Sequence, residues 1–262
     1  MKSAVLLVLC TAWLSAAFLA TPSRPPRAAL ARGRPRASSA PSAPDGGGAL
    51  FESAGWAAVL KQLNRLPVFV VADERGAPLE APATYFADVD AGLAALAAAR
   101  AARSGAAGVV VDLIPCGIGD AWRAQRERRA RLVPSAAELE AAGAPPGAEP
   151  AGQDVPLFGC LQITKPGGPN GTTPVLPLFM SRADAQRAVD GARALDAREA
   201  GEGAAAADAP ALEISVLSLS RAIELFATQA EEVGDAAGFE FVPASSSIAF
   251  IEDYIRKDSE II

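Results

Sequence analysis

Few residues in this chain carry side chains suited to covalent chemistry. Cys116 and Cys160 are the thiols that remain once Cys10, inside an N-terminal apolar run, is set aside. A cysteine attacks through its thiolate, which a neighbouring base or cation must favour. The chain has no histidine, so neither a Ser-His-Asp nor a Cys-His pair can be assembled, the commonest acid-base side chain is missing, and no histidine-ligated metal site can form. The two thiols therefore read first as small buried apolar groups. A single bridge between them, or a thiol helped by an acid or an arginine, are the alternatives.

Other candidates are weaker. Asp112 and Asp120 could form a carboxylate pair, but acids are common in a chain with 30 Asp plus Glu against 24 Lys plus Arg. In Lys165-Pro166-Gly167-Gly168-Pro169-Asn170-Gly171-Thr172-Thr173 the lysine precedes the glycines, whereas a phosphate loop needs it directly after them, so the segment reads as a hairpin. Gly46-Gly47-Gly48 follows no strand and reads as a flexible joint. Arg123, Arg126, Arg128, Arg129 and Arg131 put five arginines in nine positions. Such a run is a solvated face in the plain reading and a dock for an acidic partner or phosphate in the functional one. No catalytic, cofactor or metal site is expected.

The elements that would position any site begin near residue 50. Phe51, Trp56, Val59, Leu60 and Leu63 recur at helical spacing ahead of Pro67 and predict an amphipathic opening helix. Leu66-Pro67-Val68-Phe69-Val70-Val71 predicts a strand, Asp73-Glu74-Arg75-Gly76 its turn, and Pro78-Leu79 through Tyr85-Phe86 the return. Asp88 can cap a helix bearing Val89, Leu93 and Leu96, and residues 109–113 predict a third strand. The order recurs about 90 to 105 residues later. Val155-Pro156-Leu157-Phe158 answers Leu66-Pro67-Val68-Phe69, residues 85–91 align without gaps on 179–185, and residues 109–114 on 214–219. Ser181 with Asp184 resembles a capping box; Ala185, Ala188, Val189, Ala192 and Leu195 give the second helix its apolar face. Phe239-Glu240-Phe241-Val242 alternates as a strand, and Ile248, Ile251 and Ile255 suit a terminal helix. The expected fold is α/β: two related β-β-α-β halves in a pseudo-twofold arrangement, at about 64–122 and 155–262, after an amphipathic N-terminal helix. Residues 123–154 read as a solvated helix and a linker, and 199–210 as a second insertion.

Charge divides the chain. Residues 1–44 hold six of its 24 bases and no acid, so the remainder carries 18 bases and 30 acids. That acidic remainder of about 215 residues should bury roughly 70% of its unfolded surface without disulfides or metal, and it would not attract nucleic acid. Lys2 followed by the apolar run over residues 4–14 reads as a signal-peptide core, too short to span a bilayer. Ser15-Ala16-Ala17 places the cut before Phe18, giving a signal peptide over 1–17. Residues 18–48, rich in Arg, Ala, Ser and Pro, have transit-peptide composition. This bipartite leader resembles the presequences that reach plastids of secondary endosymbiotic origin through the secretory pathway. An ordinary secreted protein is the alternative, and glycan on the Asn170-Gly171-Thr172 sequon would mark it.

Apolar residues at consecutive positions, in residues 68–71 and 176–179, would take both faces of a strand out of water, while one helix covers only one. The second faces are either core or an open groove for a partner segment. The groove reading draws on Trp56, Leu60, Val68, Val70, Phe86, Leu93, Phe158, Leu176, Leu178, Val189 and Phe226.

Leu66-Pro67-Val68-Phe69 with Gly76-Ala77-Pro78-Leu79, then Val175-Leu176-Pro177-Leu178-Phe179-Met180-Ser181 running into Asp184-Ala185, and residues 216–225, together resemble the Tic twenty-two family, a component of protein import at the chloroplast envelope. The resemblance covers roughly residues 50–255, within a domain over 49–262. It implies a soluble, non-enzymatic, chaperone-like or bridging factor with apolar grooves in the envelope intermembrane space of a complex plastid. Its implied partners are precursors in transit and envelope translocon components, with no membrane span and room for peripheral membrane contact. A secreted or lumenal binding module, and an enzyme using Cys116 or Cys160, are the alternatives.

Overall fold

The computed structural model describes residues 47–103, 110–167, 173–200, 212–233 and 238–259. The leader expected over 1–48 (Gly47 and Gly48 apart), the Asn170 sequon and nearly all of the insertion at 199–210 lie outside the described residues. Ala49–Ile262 form one unit. The opening amphipathic segment forms two helices, α1 (Gly47–Glu52) and α2 (Ala54–Leu63), divided at Ser53. Then come β1 (Pro67–Asp73), β2 (Ala83–Phe86), α3 (Val89–Ala102), β3 (Val111–Gly117), α4 (Ile118–Arg126), β4 (Ala130–Val133) and α5 (Ala136–Ala141). The second part holds β5 (Pro156–Gly159), β6 (Lys165–Gly167), β7 (Thr173–Phe179), α6 (Arg182–Ala200), β8 (Ser215–Ser218), α7 (Leu219–Val233), β9 (Phe239–Val242) and α8 (Ser245–Ser259).

Two sheets result. The first runs β3-β1-β2-β4, with β1 antiparallel to both neighbours and β4 parallel to β2. In the second, β5 is antiparallel to β8 and β7, and β9 is parallel to β7. The glycine-rich loop is framed by the antiparallel pair β6 and β7, as a hairpin requires. Matching backbone bonds close both sheets. Ile118 N–H donates to Leu66 O at 2.9 Å and Leu219 N–H to Val155 O at 2.8 Å; Ala87 N–H donates to Val133 O at 2.9 Å and Met180 N–H to Val242 O at 3.0 Å. These bonds put Leu66 with Val155, as the sequence suggested, but Phe86 with Phe179 and Ile118 with Leu219. The gapless alignment of residues 85–91 was displaced by one, and that of residues 109–114 by four.

The structure also corrects the reading of residues 123–154. They finish α4 and then supply β4, the end strand of the first sheet, and α5. A β-β-α-β description therefore leaves out α4, β4 and α5 of the first part, and β6, α7, β9 and α8 of the second. The strand was hidden because only Ala130 and Leu132 point inward, between exposed arginines. α5 is tied down as well: the Arg182 backbone N–H donates to Glu138 Oε2 at 2.9 Å, and Arg182 Nη1 to Ala141 O at 2.9 Å.

Local chemistry explains the element ends. Asp88 caps α3, its Oδ1 accepting from the Asp90 N–H at 2.9 Å, which satisfies an otherwise orphaned donor. Asp184 does not complete a capping box with Ser181. Its buried carboxylate instead accepts the Ser245 N–H at 2.8 Å and the Ser245 hydroxyl at 2.9 Å, and pairs with Arg187, fastening α6 to the start of α8.

The core is built by an exchange. Phe69 packs with Val89, Leu96, Val111 and Leu113 between the first sheet and α3. Val68 and Val70 point to the other face by strand alternation. They are buried too, because α4 packs against β1, β3 and β4. The terminal helices cross over: α2 lies on α7, beside the second sheet, while α8 lies on β1 and α3 of the first. A Cβ on Gly55 of α2 would stand 2.5 Å from Ala227 O of α7, so the absence of a side chain sets that crossing distance.

Candidate binding groove

Among the described residues one side of α3 is left uncovered, and the reason lies in the turn after β1. Asp73 Oδ1 accepts the N–H groups of Arg75 and Ala77, each at 2.9 Å, and Gly76 takes φ +77°, a backbone state that favours glycine. The chain reverses there and returns along β1, so that the Leu79 N–H donates to Val71 O at 3.1 Å. Val71, Pro78, Leu79 and Phe86 thereby form one wall of a cleft. The other wall is α3. At Gly92 the helix lies so close that a Cβ would meet Leu113 and Phe69 at 3.1 to 3.3 Å. One and more turns onward it offers only Ala95, Ala98, Ala99 and Ala102, whose methyls are too short to reach the opposite wall.

The result is a groove of about 430 Å³, within the range of about 300–1,000 Å³ usual for ligand sites. Its rim is polar: the Thr84 hydroxyl donates to Glu80 Oε2 at 2.8 Å, and Arg103 Nη1 donates to Ala99 O at 3.3 Å. A smaller cleft of about 170 Å³ lies where α3, α5, α6 and α8 begin. Its polar groups already serve each other, the Ser135 hydroxyl donating to Asp88 Oδ2 at 2.9 Å.

Of the residues expected to line a groove, Phe86 alone lines this one. Val68 and Val70 are buried beneath the first sheet. Phe158, Leu176, Leu178 and Val189 are buried around the second, and Phe226 stacks on Phe241 with centroids 4.9 Å apart. Trp56 is buried against Phe51 and Trp122, at 5.0 and 5.8 Å between centroids. Leu60 is half-buried, close to Gly119. Leu93 is 39% exposed on the outer side of α3. Both faces of the consecutive apolar strands find helices, so Val68, Val70, Phe158, Leu176 and Leu178 are core, while Val71, in the first run, is half-buried and lines the groove. The alanines that do form the groove lie outside the expected set.

The thiols are unbridged. Cys116 Sγ lies 3.6 Å from Val68 O, and burial, then the Asp120 carboxylate, push its thiol up to about 12. It is thus held protonated, contrary to what a nucleophile needs. Cys160 is buried, its Sγ 3.0 Å from Gln162 Oε1. Asp112 and Asp120 are engaged separately: the Tyr254 hydroxyl donates to Asp112 at 3.2 Å, and the Asn64 amide to Asp120 at 3.2 Å. Among the described residues no cluster of His, Cys, Asp and Glu could hold a metal ion, and no helix is long and apolar enough to cross a membrane.

Fold and groove together define a mixed α/β protein of two sheets with, among the described residues, an apolar cleft beside α3. Against known proteins, no family model matches the sequence and no curated protein matches it. Solved structures do match. Tic22 from Plasmodium falciparum aligns over 76% of this chain and 98% of its own, at a TM-score of 0.54 and 15% identity. Anabaena Tic22, described as a protein of protein transport, aligns over 76% of this chain and 96% of its own, at a TM-score of 0.53 and 15% identity. The chain therefore has the Tic22 fold, and the resemblance read from the sequence holds at that level.

Proposed function

We propose that the protein takes part in protein import into a plastid as a non-enzymatic factor that holds apolar segments of precursors in the α3 groove. The observation that carries this reading is the groove itself: Val71, Leu79 and Phe86 face a ridge of alanines across about 430 Å³ that no side chain of the described residues fills. The likeness to Anabaena Tic22, described as a transport protein, supports it. Contact over about 400 Å² of apolar surface is worth on the order of 10 kcal/mol gross. Ordering the bound segment reduces that to a weak, reversible affinity, which suits handover. In this reading the two sheets are duplicated halves related by a pseudo-twofold axis. The leader over residues 1–48 directs the chain through the secretory pathway to the envelope intermembrane space of a complex plastid, where translocon components are its partners.

The test is protection of an unfolded client from aggregation. Ala98 and Ala97 are neighbours on α3, both exposed, but only Ala98 lines the groove. Ala98→Glu is expected to abolish protection and Ala97→Glu to preserve it, with both variants folded by circular dichroism. Equal protection by the two would remove the groove from the mechanism. A fluorescent reporter carrying residues 1–48 tests the destination.

A further inference from the structure

The arginine run plays no part in the groove, and it sits at an open margin. Among the described residues β4 is the end strand of the first sheet and pairs only with β2, in parallel. In a parallel ladder alternate residues turn both backbone groups toward the same neighbour. Val133 O accepts the Ala87 N–H on the β2 side, so Arg131 and Val133 face β2, while Ala130 and Leu132 present their N–H and C=O groups to the free edge. Ala130 and Leu132 bury their side chains, and Arg129 and Arg131 expose theirs. A single cation would keep such an edge from pairing with its like. Here five arginines stand against one glutamate within nine positions, on a chain of net charge -6.

The charge is only partly spent locally. Glu127 binds Arg129 and, at 3.1 Å, Arg123. Arg126 lies over the Trp122 ring at 5.6 Å. Among the described residues Arg126, Arg128 and Arg131 have no carboxylate partner. Arg128 also occupies a position that glycine would fill at lower energy. The N–H groups of Arg128 and Arg129 donate to Gln125 O and Ala124 O, at 2.9 and 2.8 Å, closing the end of α4 with Arg128 at φ +58°. Glycine is the usual residue at that point of a helix end. A charged side chain kept at a strained position is a pointer to function.

We infer that the β4 edge is a second docking site, whose occupant is an acidic polypeptide segment that adds a strand beside β4 while its carboxylates meet Arg126, Arg128 and Arg131. Main-chain bonds to an open edge supply the pairing, and guanidinium forks select carboxylates. A basic segment, such as the arginine-rich residues 24–36 of this chain, is repelled. A bilayer offers anions but no strand. The site does not depend on the groove.

The probe is a short fluorescent peptide alternating Glu and Thr, titrated into the intact protein and followed by anisotropy. The Arg128→Glu, Arg131→Glu double variant should weaken binding by roughly tenfold or more. Arg128→Gly should weaken it as well while raising stability, a combination that a purely structural role for Arg128 would not give. Methylating alternate amides of the peptide should abolish binding without altering its charge, and a Lys-Thr peptide should not bind. Undiminished binding by the methylated peptide, by the lysine peptide or to either variant overturns the inference. So does capture of phosphatidylglycerol vesicles in place of the acidic peptide.

Discussion

The ring of Phe250, on the last helix, meets that of Phe69, on the first strand, edge to face, with centroids 5.4 Å apart and planes at 89°. The first sheet is thus roofed in part by a side chain from the far end of the chain. A half-buried phenylalanine in such a pair carries both area and quadrupole attraction. Phe250→Ala should cost about 2 kcal/mol, read as a lowered urea midpoint with an unchanged slope, whereas Ile255→Ala, on the exposed side of the same helix, should be near neutral.

Two helical glycines should respond oppositely to the same change. Gly55 crosses α7 so closely that a methyl would lie 2.5 Å from Ala227 O. Gly55→Ala must push the helices apart and should destabilise by about 1–3 kcal/mol. Gly191, within α6, has nothing within 4 Å of where a methyl would stand. Gly191→Ala should stabilise by about 0.5–1 kcal/mol through helix propensity alone. Thermal melts of the two variants in parallel check the contrast.

Cys116 makes a prediction in pH. Its folded thiol titrates near 12 against an ordinary 9.0, because burial and then Asp120 disfavour the thiolate. The folded state therefore holds its proton longer than the unfolded one. Stability from this group is intact below pH 9 and falls as pH rises from there toward 12, by about 1.4 kcal/mol per unit. Cys116→Ala should flatten that alkaline loss relative to the native protein. Alkylation by iodoacetamide at pH 8 should be slow on the folded protein and fast in denaturant.

Arg128→Gly should stabilise the protein by about 1 kcal/mol, since φ +58° is unstrained for glycine. Arg128→Ala keeps the strain and should leave stability near native. Denaturant titrations of the two variants separate backbone relief from charge removal.

The sequence was most legible where local signals agreed. The apolar run after Pro67, the Asp88 cap and the alternation from Phe239 to Val242 located β1, α3 and β9. It was least legible where structure is imposed from outside the segment. β4 has two inward residues among arginines and exists because β2 offers an edge. By residue type the adjacent aromatics Tyr85 and Phe86 matched Phe179 equally well, and strand register chooses: Phe69 pairs with Phe86 as Phe158 pairs with Phe179. The groove was missed for a different reason: it is made by what α3 lacks, and an absence of bulk leaves no mark in an apolar pattern.

The crossing of the two terminal helices also sets an order of events. As the chain is made, β1, β2 and β3 are complete long before Phe250 exists to cover Phe69, and α2, already set against α4 through Trp56 and Trp122, waits for α7 to cover Gly55. A chain emerging from a ribosome would hold its first sheet half-roofed until α8 cleared the exit, so that the earliest strand to form is among the last to be covered.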